Sequence, residues 1–375
     1  MNKKCVNSKC NLTSQSGVSL IELMIALTIG AILLVGLASV FINSSAARRE
    51  LEKSSALVEN GRYAVTILAE NLSLAGFYGF FNDVGVPLAA LPDPCVLTEA
   101  NLLTAMAQPL QGYRSADLTT RPVVASTPAH TCGALLSNAN LAPGSDIFII
   151  RRADTAVVAG MSAKEVYLEA NSRTAAILID DVATGLLRSP NKGGSPAADI
   201  RKYNVHVYFI APCSRGSDDA IINGVTMYGI CQAGDDSVPT LKRLTLRKHS
   251  NSADTVMEID PLVEGIEYMK LEYGIDTLPA AVSAFTGTIG DGIPDSYVTS
   301  PTTAQWPSVV SVRVYLLARS PQATDGHNDT KSYLLGSTST AGQTLVAATN
   351  DQFKRHVYST EVRPTNIAAR REIPE

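Results

Sequence analysis

Residues 16–43 read SGVSLIELMIALTIGAILLVGLASVFIN, and from Leu23 to Ile42 the stretch carries no charge at all. A helix of that length, at about 1.5 Å per residue, spans the roughly 30 Å hydrocarbon core of a bilayer. The exception is Glu22, directly before the run. A carboxylate at the centre of a membrane helix costs roughly 2.5–3.5 kcal/mol on insertion scales, and less near an interface. Its presence at the mouth of such a segment asks for a compensating role.

Three accounts compete. A secretory signal would use Lys3, Lys4 and Lys9 as its basic region and Ser44 and Ala46 as small residues for cleavage. Its apolar stretch, however, usually runs about 7–15 residues, shorter than this one. An uncleaved single-span anchor would keep the leader lysines on the cytoplasmic side, although Arg48 and Arg49 flank the other end. A cut on the cytoplasmic side of the helix is the third account, and it gives Glu22 a purpose. Gly17 followed by Val18-Ser19-Leu20-Ile21-Glu22-Leu23 resembles the class III signal of type IV prepilins. The resemblance implies that a prepilin peptidase cuts after Gly17 and that the new N-terminus at Val18 is methylated; Val18 stands where the family most often has phenylalanine. It also implies that Glu22, fifth in the mature chain, pairs with the terminal amine of a neighbouring subunit. The physics is coherent, because an amine and a carboxylate stranded in low dielectric each need an opposite charge.

The chain has 375 residues and a formal net charge of −4. Removing residues 1–17 removes three lysines and no acid, so the body carries −4 − 3 = −7. An acidic body is a poor binder of phosphate backbones. The pairs Arg151-Arg152 and Lys242-Arg243 are too short to make a basic patch and read as solvated strand edges. Of six cysteines, Cys5 and Cys10 lie in the leader, while Cys95, Cys132, Cys213 and Cys231 lie far beyond the apolar run. No zinc-like spacing links them, so in an exported domain they read as two disulfides. Four cysteines allow three pairings. Cys95 with Cys132 and Cys213 with Cys231 close the shortest loops, and each closure would stabilise by roughly 3–4 kcal/mol in the chain-entropy picture.

Beyond the apolar run, Leu51, Val58, Val65 and Leu72 recur every seven residues, with Leu68 and Ala75 three after the last two. This marks one apolar stripe on a continuing helix, expected from about Ser19 to Ala75 and on the order of 85 Å long. Gly61 inside it costs about 1 kcal/mol against alanine, and Gly76 supplies a stop. The stripe is expected to pack on the chain's own domain rather than form a coiled coil. The stretch LVENGRYAVTILAENLSLAGFYG (57–79) is similar to the post-membrane segment of PilW-type minor pilins, as are LVEGIEYMKLEYGID (262–276) and SVVSVRVYLLARS (308–320).

Residues 82–145 are rich in Pro, Ala, Asn and Thr and read as a loop-rich insert. Strand-like runs follow at 146–152, 165–170, 175–180, 203–210, 241–247, 269–275, 309–318 and 353–362. In the 309–318 run, Val310, Val312, Val314 and Leu316 alternate with Ser311, Arg313 and Tyr315, giving one dry face that needs a cover. Leu262, Val263 and Ile266 suggest a short helical turn before the 269–275 strand. The expected fold is α+β: a long N-terminal helix packed on a mainly antiparallel sheet. The expected division is a leader over 1–17, a transmembrane half-helix over 18–42 and an amphipathic periplasmic half over 43–76. The insert over 77–145 and a β-rich domain over 146–375 complete it.

His130, His206, His249, His327 and His356 are scattered, and no nucleophile elbow, P-loop or dinucleotide fingerprint is present. Neither catalysis nor a cofactor is expected, and His206 reads as a structural histidine within a strand. The segment Asp291–Tyr297, DGIPDSY, has calcium-like carboxylates that Asp276 could join, but a polar turn through Gly292 and Pro294 is the simpler reading. The family resemblance implies a single-pass inner-membrane protein with a periplasmic domain, assembled into a type IV pilus at its tip. It implies prepilin peptidase, other minor pilins, the major pilin and the inner-membrane assembly platform as partners, with room for a tip adhesin, and roles in twitching motility and adhesion. A J-type pseudopilin of type II secretion shares the cut, the glutamate and the helix. A membrane-anchored periplasmic enzyme or binding protein would keep its leader.

Overall fold

The computed structural model describes residues 17–82, 88–124, 132–162, 165–179, 198–222, 225–248, 255–277, 290–337 and 342–371. Most of the leader, with Cys5 and Cys10, lies outside the described residues, as do His130 and His249. The chain divides into two compact units, Met1–Glu52 and Lys53–Glu375. One continuous helix, α1 (Leu20–Ser73), runs from the first unit into the second. It ends where Gly76 takes a φ of +74°, the left-handed region that glycine enters without penalty.

The second unit is built on antiparallel strands. In chain order they are β1 (Leu110–Tyr113), β2 (Ile147–Ala153), β3 (Tyr167–Ala170), β4 (Ala175–Leu178), β5 (Asp199–Ala211), β6 (Asp218–Ile222), β7 (Val225–Ile230) and β8 (Thr240–Lys248). They continue with β9 (Thr255–Glu264), β10 (Ile266–Ile275), β11 (Ser296–Val298), β12 (Val309–Arg319), β13 (Tyr333–Leu335), β14 (Thr344–Val346) and β15 (Arg355–Val362). Short helices α2 (Glu99–Ala105) and α3 (Thr365–Ala368) complete the described elements, with 3-10 turns at Gly133–Leu136 and Trp306–Ser308. The insert expected to be loop-rich therefore contains α2, a 3-10 turn and β1.

Two main sheets form where the sequence suggested one. The seven-stranded sheet runs β1-β2-β5-β3-β4, with β8 also on β5 and β9 on β8; the four-stranded sheet runs β11-β10-β12-β15. The chain passes between them at Gly265, which separates β9 from β10 at a φ of +80°. Its N–H donates to the Pro239 carbonyl and its carbonyl accepts from Arg319 N–H, each at 2.7 Å. The helical turn expected at Leu262, Val263 and Ile266 is thus a strand corner. Its apolar residues belong to two different strands meeting at a glycine, which mimics helical spacing.

Alternation along β5 shows how the large sheet is used. Tyr203, Val205, Val207 and Phe209 enter a core shared with Tyr78, Leu102, Met106 and Leu135 of the insert. Tyr208 and Ile210, on the opposite face, join Leu57, Ala64, Leu68 and Leu72 of α1 together with Leu271, Val312, Val314 and Leu316 of the smaller sheet. Each fully buried leucine contributes about 1.5–3 kcal/mol of transfer free energy. The helix stripe differs from the seven-residue series. Leu51 and Val58 are 70 % and 43 % exposed, while the buried face runs Leu57, Gly61, Ala64, Leu68, Leu72. Spacings of three and four keep that face aligned on a 3.6-residue helix, which a strict repeat of seven cannot do.

Gly61 is explained by this packing. A Cβ there would run into the Tyr358 ring of β15, whose hydroxyl donates to the Leu57 carbonyl at 3.4 Å. On an open helix face, Gly61→Leu would gain about 1 kcal/mol of helix propensity. Here overpacking should reverse the sign, for a net loss of about 1–2 kcal/mol. Urea unfolding should show an earlier midpoint at unchanged slope; a later midpoint would mean that the Tyr358 ring swings aside freely.

Candidate functional site

The segment from Gly17 to Glu22 lies within the first unit. Gly17, Val18 and Ser19 precede the helix and are exposed, and α1 begins at Leu20. Among the described residues no heavy atom lies within 4 Å of a Cβ built on Gly17, and Val18 is 70 % exposed. Leu23 N–H donates to the Ser19 carbonyl at 3.1 Å, so Ser19 is the residue from which the helix starts. Ser19 and Glu22 stand in the S-x-x-E spacing of a capping box, with Glu22 in the first turn. Negative charge there also complements the helix dipole.

After Glu22 the helix is long and apolar enough to cross a membrane, and none of its most apolar window is buried within the protein. The Thr28 hydroxyl, the polar atom most awkward in hydrocarbon, donates to the Ile25 carbonyl at 2.9 Å. Gly17, Val18 and Glu22 are therefore brought together by sequence proximity alone, at the start of α1.

Two family comparisons bear on this geometry. Residues 12–38 match the prokaryotic N-terminal methylation motif, and residues 227–366 match PilW, the type IV pilus-assembly protein W. The chain's N-terminal segment is thus similar to prokaryotic methylation motifs, and its C-terminal half to a PilW domain. The PilW match runs from within β7 through β15 and into α3. It contains two of the three stretches singled out in the sequence, 262–276 and 308–320; the third, 57–79, lies between the two matched regions. Among solved structures, a type IV-like pilin from Thermus thermophilus is similar over 83 % of this chain and 96 % of its own, at 12 % identity and a TM-score of 0.30. No curated protein matches.

Cysteines of the second unit form two disulfides, Cys95–Cys132 and Cys213–Cys231. The first ties the loop before α2 to the 3-10 turn within the insert's core. The second closes the base of the β6–β7 ribbon. Strand alternation explains what sits beside them. Lys242 shares its face of β8 with Leu244 and Leu246, and Arg151 shares its face of β2 with Ile147 and Ile149. Both cations are consequently buried, not solvated as their sequence context suggested. The Arg151 guanidinium donates to Gln108 O and Gln111 Oε1, each at 2.8 Å, and to Asp93 O at 3.3 Å, pinning the insert to the sheet. Burial pushes its pKa down. Their neighbours Arg152 and Arg243 pair with Asp154 and Asp260 at 2.9 and 3.0 Å, so neither pair builds a basic patch.

The remaining candidates have structural partners. Asp276 Oδ2 accepts from Arg371 Nε at 3.0 Å and Gly292 N–H at 3.2 Å. Asp295 accepts from the Thr277 N–H and hydroxyl, and Asp291 accepts from Ile293 N–H. Among the described residues, no three His, Cys, Asp or Glu side chains gather to hold a metal ion. His206 is buried, with Nδ1 3.2 Å from Asn71 Oδ1 of α1. Burial, and then Arg243, Arg152, Lys202 and Arg247, push its pKa well below the usual range.

One cluster escaped the sequence entirely. Arg355, at the start of β15, is clasped by Glu267 at 2.6 and 3.1 Å, by Asp351 at 2.7 Å to each carboxylate oxygen, and by Asp329 at 3.1 Å. These residues are spread over 88 positions, so no local pattern could have announced them.

Proposed function

We propose that this chain is a minor pilin of a type IV pilus. It is made as a prepilin, cut after Gly17 by prepilin peptidase and methylated on Val18. The apolar part of α1 holds it in the inner membrane, with the disulfide-bonded domain on the periplasmic side. Through α1 it joins other minor pilins and the major pilin on the inner-membrane assembly platform, in a complex that primes assembly and stays at the fibre tip. Twitching motility and adhesion depend on that complex. The role is structural, not catalytic.

One observation carries this reading: an exposed glycine lies three residues before the start of a helix that holds a carboxylate in its first turn and then runs unbroken through an apolar span. Cutting before such a helix leaves it on the product as anchor and stem. The PilW match supports a pilus rather than a secretion system as the assembly. Intact-mass measurement of the membrane-extracted protein should find a chain beginning at Val18 with one added methyl group. A chain beginning at Met1 or at Ala47 would overturn the proposal.

A further inference from the structure

We infer that Lys242 makes Cys213–Cys231 the redox-responsive disulfide of this chain, opening to a dithiol reductant ahead of Cys95–Cys132. The Lys242 Nζ lies 3.5 Å from Cys231 Sγ and 3.7 Å from Cys213 Sγ, and it donates to the Gly229 carbonyl at 3.0 Å. Its side chain is 1 % exposed. No described carboxylate is in ion-pair contact with it; Asp236 and Asp235 act from farther away, and burial brings its pKa down to about 8. In the oxidised protein, then, a costly buried ammonium faces two uncharged sulfurs.

Reduction changes that balance. Two electrons and two protons pass from the dithiol, which closes to its own disulfide, and the Cys213–Cys231 bond breaks to two thiols. One of these can release its proton to solvent and remain a thiolate against Lys242. A neighbouring cation lowers a thiol's pKa, and stabilising the reduced form makes a disulfide easier to reduce. At Cys95 the peptide N–H donates to Asp93 Oδ1 at 2.8 Å, and the Arg151 guanidinium is held by the Asp93 carbonyl. Opening Cys213–Cys231 would release the base of the β6–β7 ribbon while leaving the insert stapled.

The test uses the full chain in detergent micelles, with Cys5→Ser and Cys10→Ser so that only the four domain cysteines take part. The protein is equilibrated at pH 7 in mixtures of reduced and oxidised dithiothreitol, quenched by alkylation and mapped peptide by peptide. Cys213–Cys231 should reach half-reduction in the milder mixture. Lys242→Met should shift that midpoint about tenfold toward stronger reductant, roughly 30 mV for a two-electron couple, and Lys242→Arg should restore it. A variant that merely loosened the fold would become easier to reduce, the opposite direction. Equal midpoints in wild type and Lys242→Met, an easier reduction in the variant, no rescue by arginine, or prior opening of Cys95–Cys132 would each overturn the inference.

Discussion

Arg355→Met should destabilise the globular domain by about 3–5 kcal/mol, the range seen when one partner of a buried charge cluster is removed. The guanidinium is 1 % exposed and holds Glu267, Asp329 and Asp351 together. Without it, three carboxylates from a strand and two loop segments face one another, with Arg319 4.0 Å from Glu267 as their remaining described cation. The pH dependence separates this mechanism from simple loss of packing. In the wild type, the hydrogen bond from Arg355 holds the Asp351 carboxyl down to about 2. A depressed carboxyl stabilises the fold above its unfolded pKa of about 3.9, and that contribution disappears as pH falls toward 2. In the variant the sign inverts, because crowded carboxylates gain from taking up protons. The deficit should therefore be largest near neutrality and shrink toward pH 4. Urea unfolding at pH 7 and pH 4 measures both; a deficit below about 1 kcal/mol, or one that grows on acidification, would show that the clasp is dispensable.

Glu22→Ala should leave membrane insertion intact and nearly abolish surface pili. Removing a charge next to an apolar span relieves an insertion cost, so membrane levels should hold or rise slightly. Assembly fails for a different reason. On the proposed role, a neighbouring subunit's α-amine would enter a low-dielectric helix bundle, where an unpaired buried charge costs on the order of 3–5 kcal/mol, enough to lower incorporation by two orders of magnitude or more. Glu22 also sits in the first turn of α1, where complementing the helix dipole is worth only about 0.3–1 kcal/mol. If that were its whole role, pili would form almost normally. The experiment expresses Glu22→Ala in cells lacking the native copy, confirms equal membrane levels and cutting after Gly17, and counts surface pili. Normal piliation would remove the pairing role from Glu22 while leaving the cleavage reading standing.

Much of this architecture can be read from residues a few positions apart. The Gly17–Glu22 junction and the runs that became β2, β5, β8, β10, β12 and β15 all rest on local spacing, as does the stop at Gly76. Alternation carried more than composition did. It would have sent Arg151 inward with Ile147 and Ile149, and Lys242 inward with Leu244 and Leu246, had each cation's face been weighed above its charge. The helix stripe went astray because Leu51 and Val58 obey a period of seven that the buried face does not follow. What could not be read is long-range: the clasp on Arg355, the Asp276–Arg371 pair 95 positions apart, and the division into two sheets at Gly265. Each depends on partners that only the finished fold brings together.

The contact between Gly61 and Tyr358 joins the start of the domain to its last strand, and it sets the order of folding. The α1 face that carries Leu57, Ala64 and Leu68 finds its cover on strands as distant as β12 and β15, some 250–300 residues later. Contacts so remote in sequence must wait for the intervening loops to close, which makes folding slow and late. A chain emerging N-terminus first would therefore display this apolar stripe until β12 and β15 had arrived. The interval between emergence and closure is when such a chain most needs a chaperone, and when its helix is most open to the wrong neighbour.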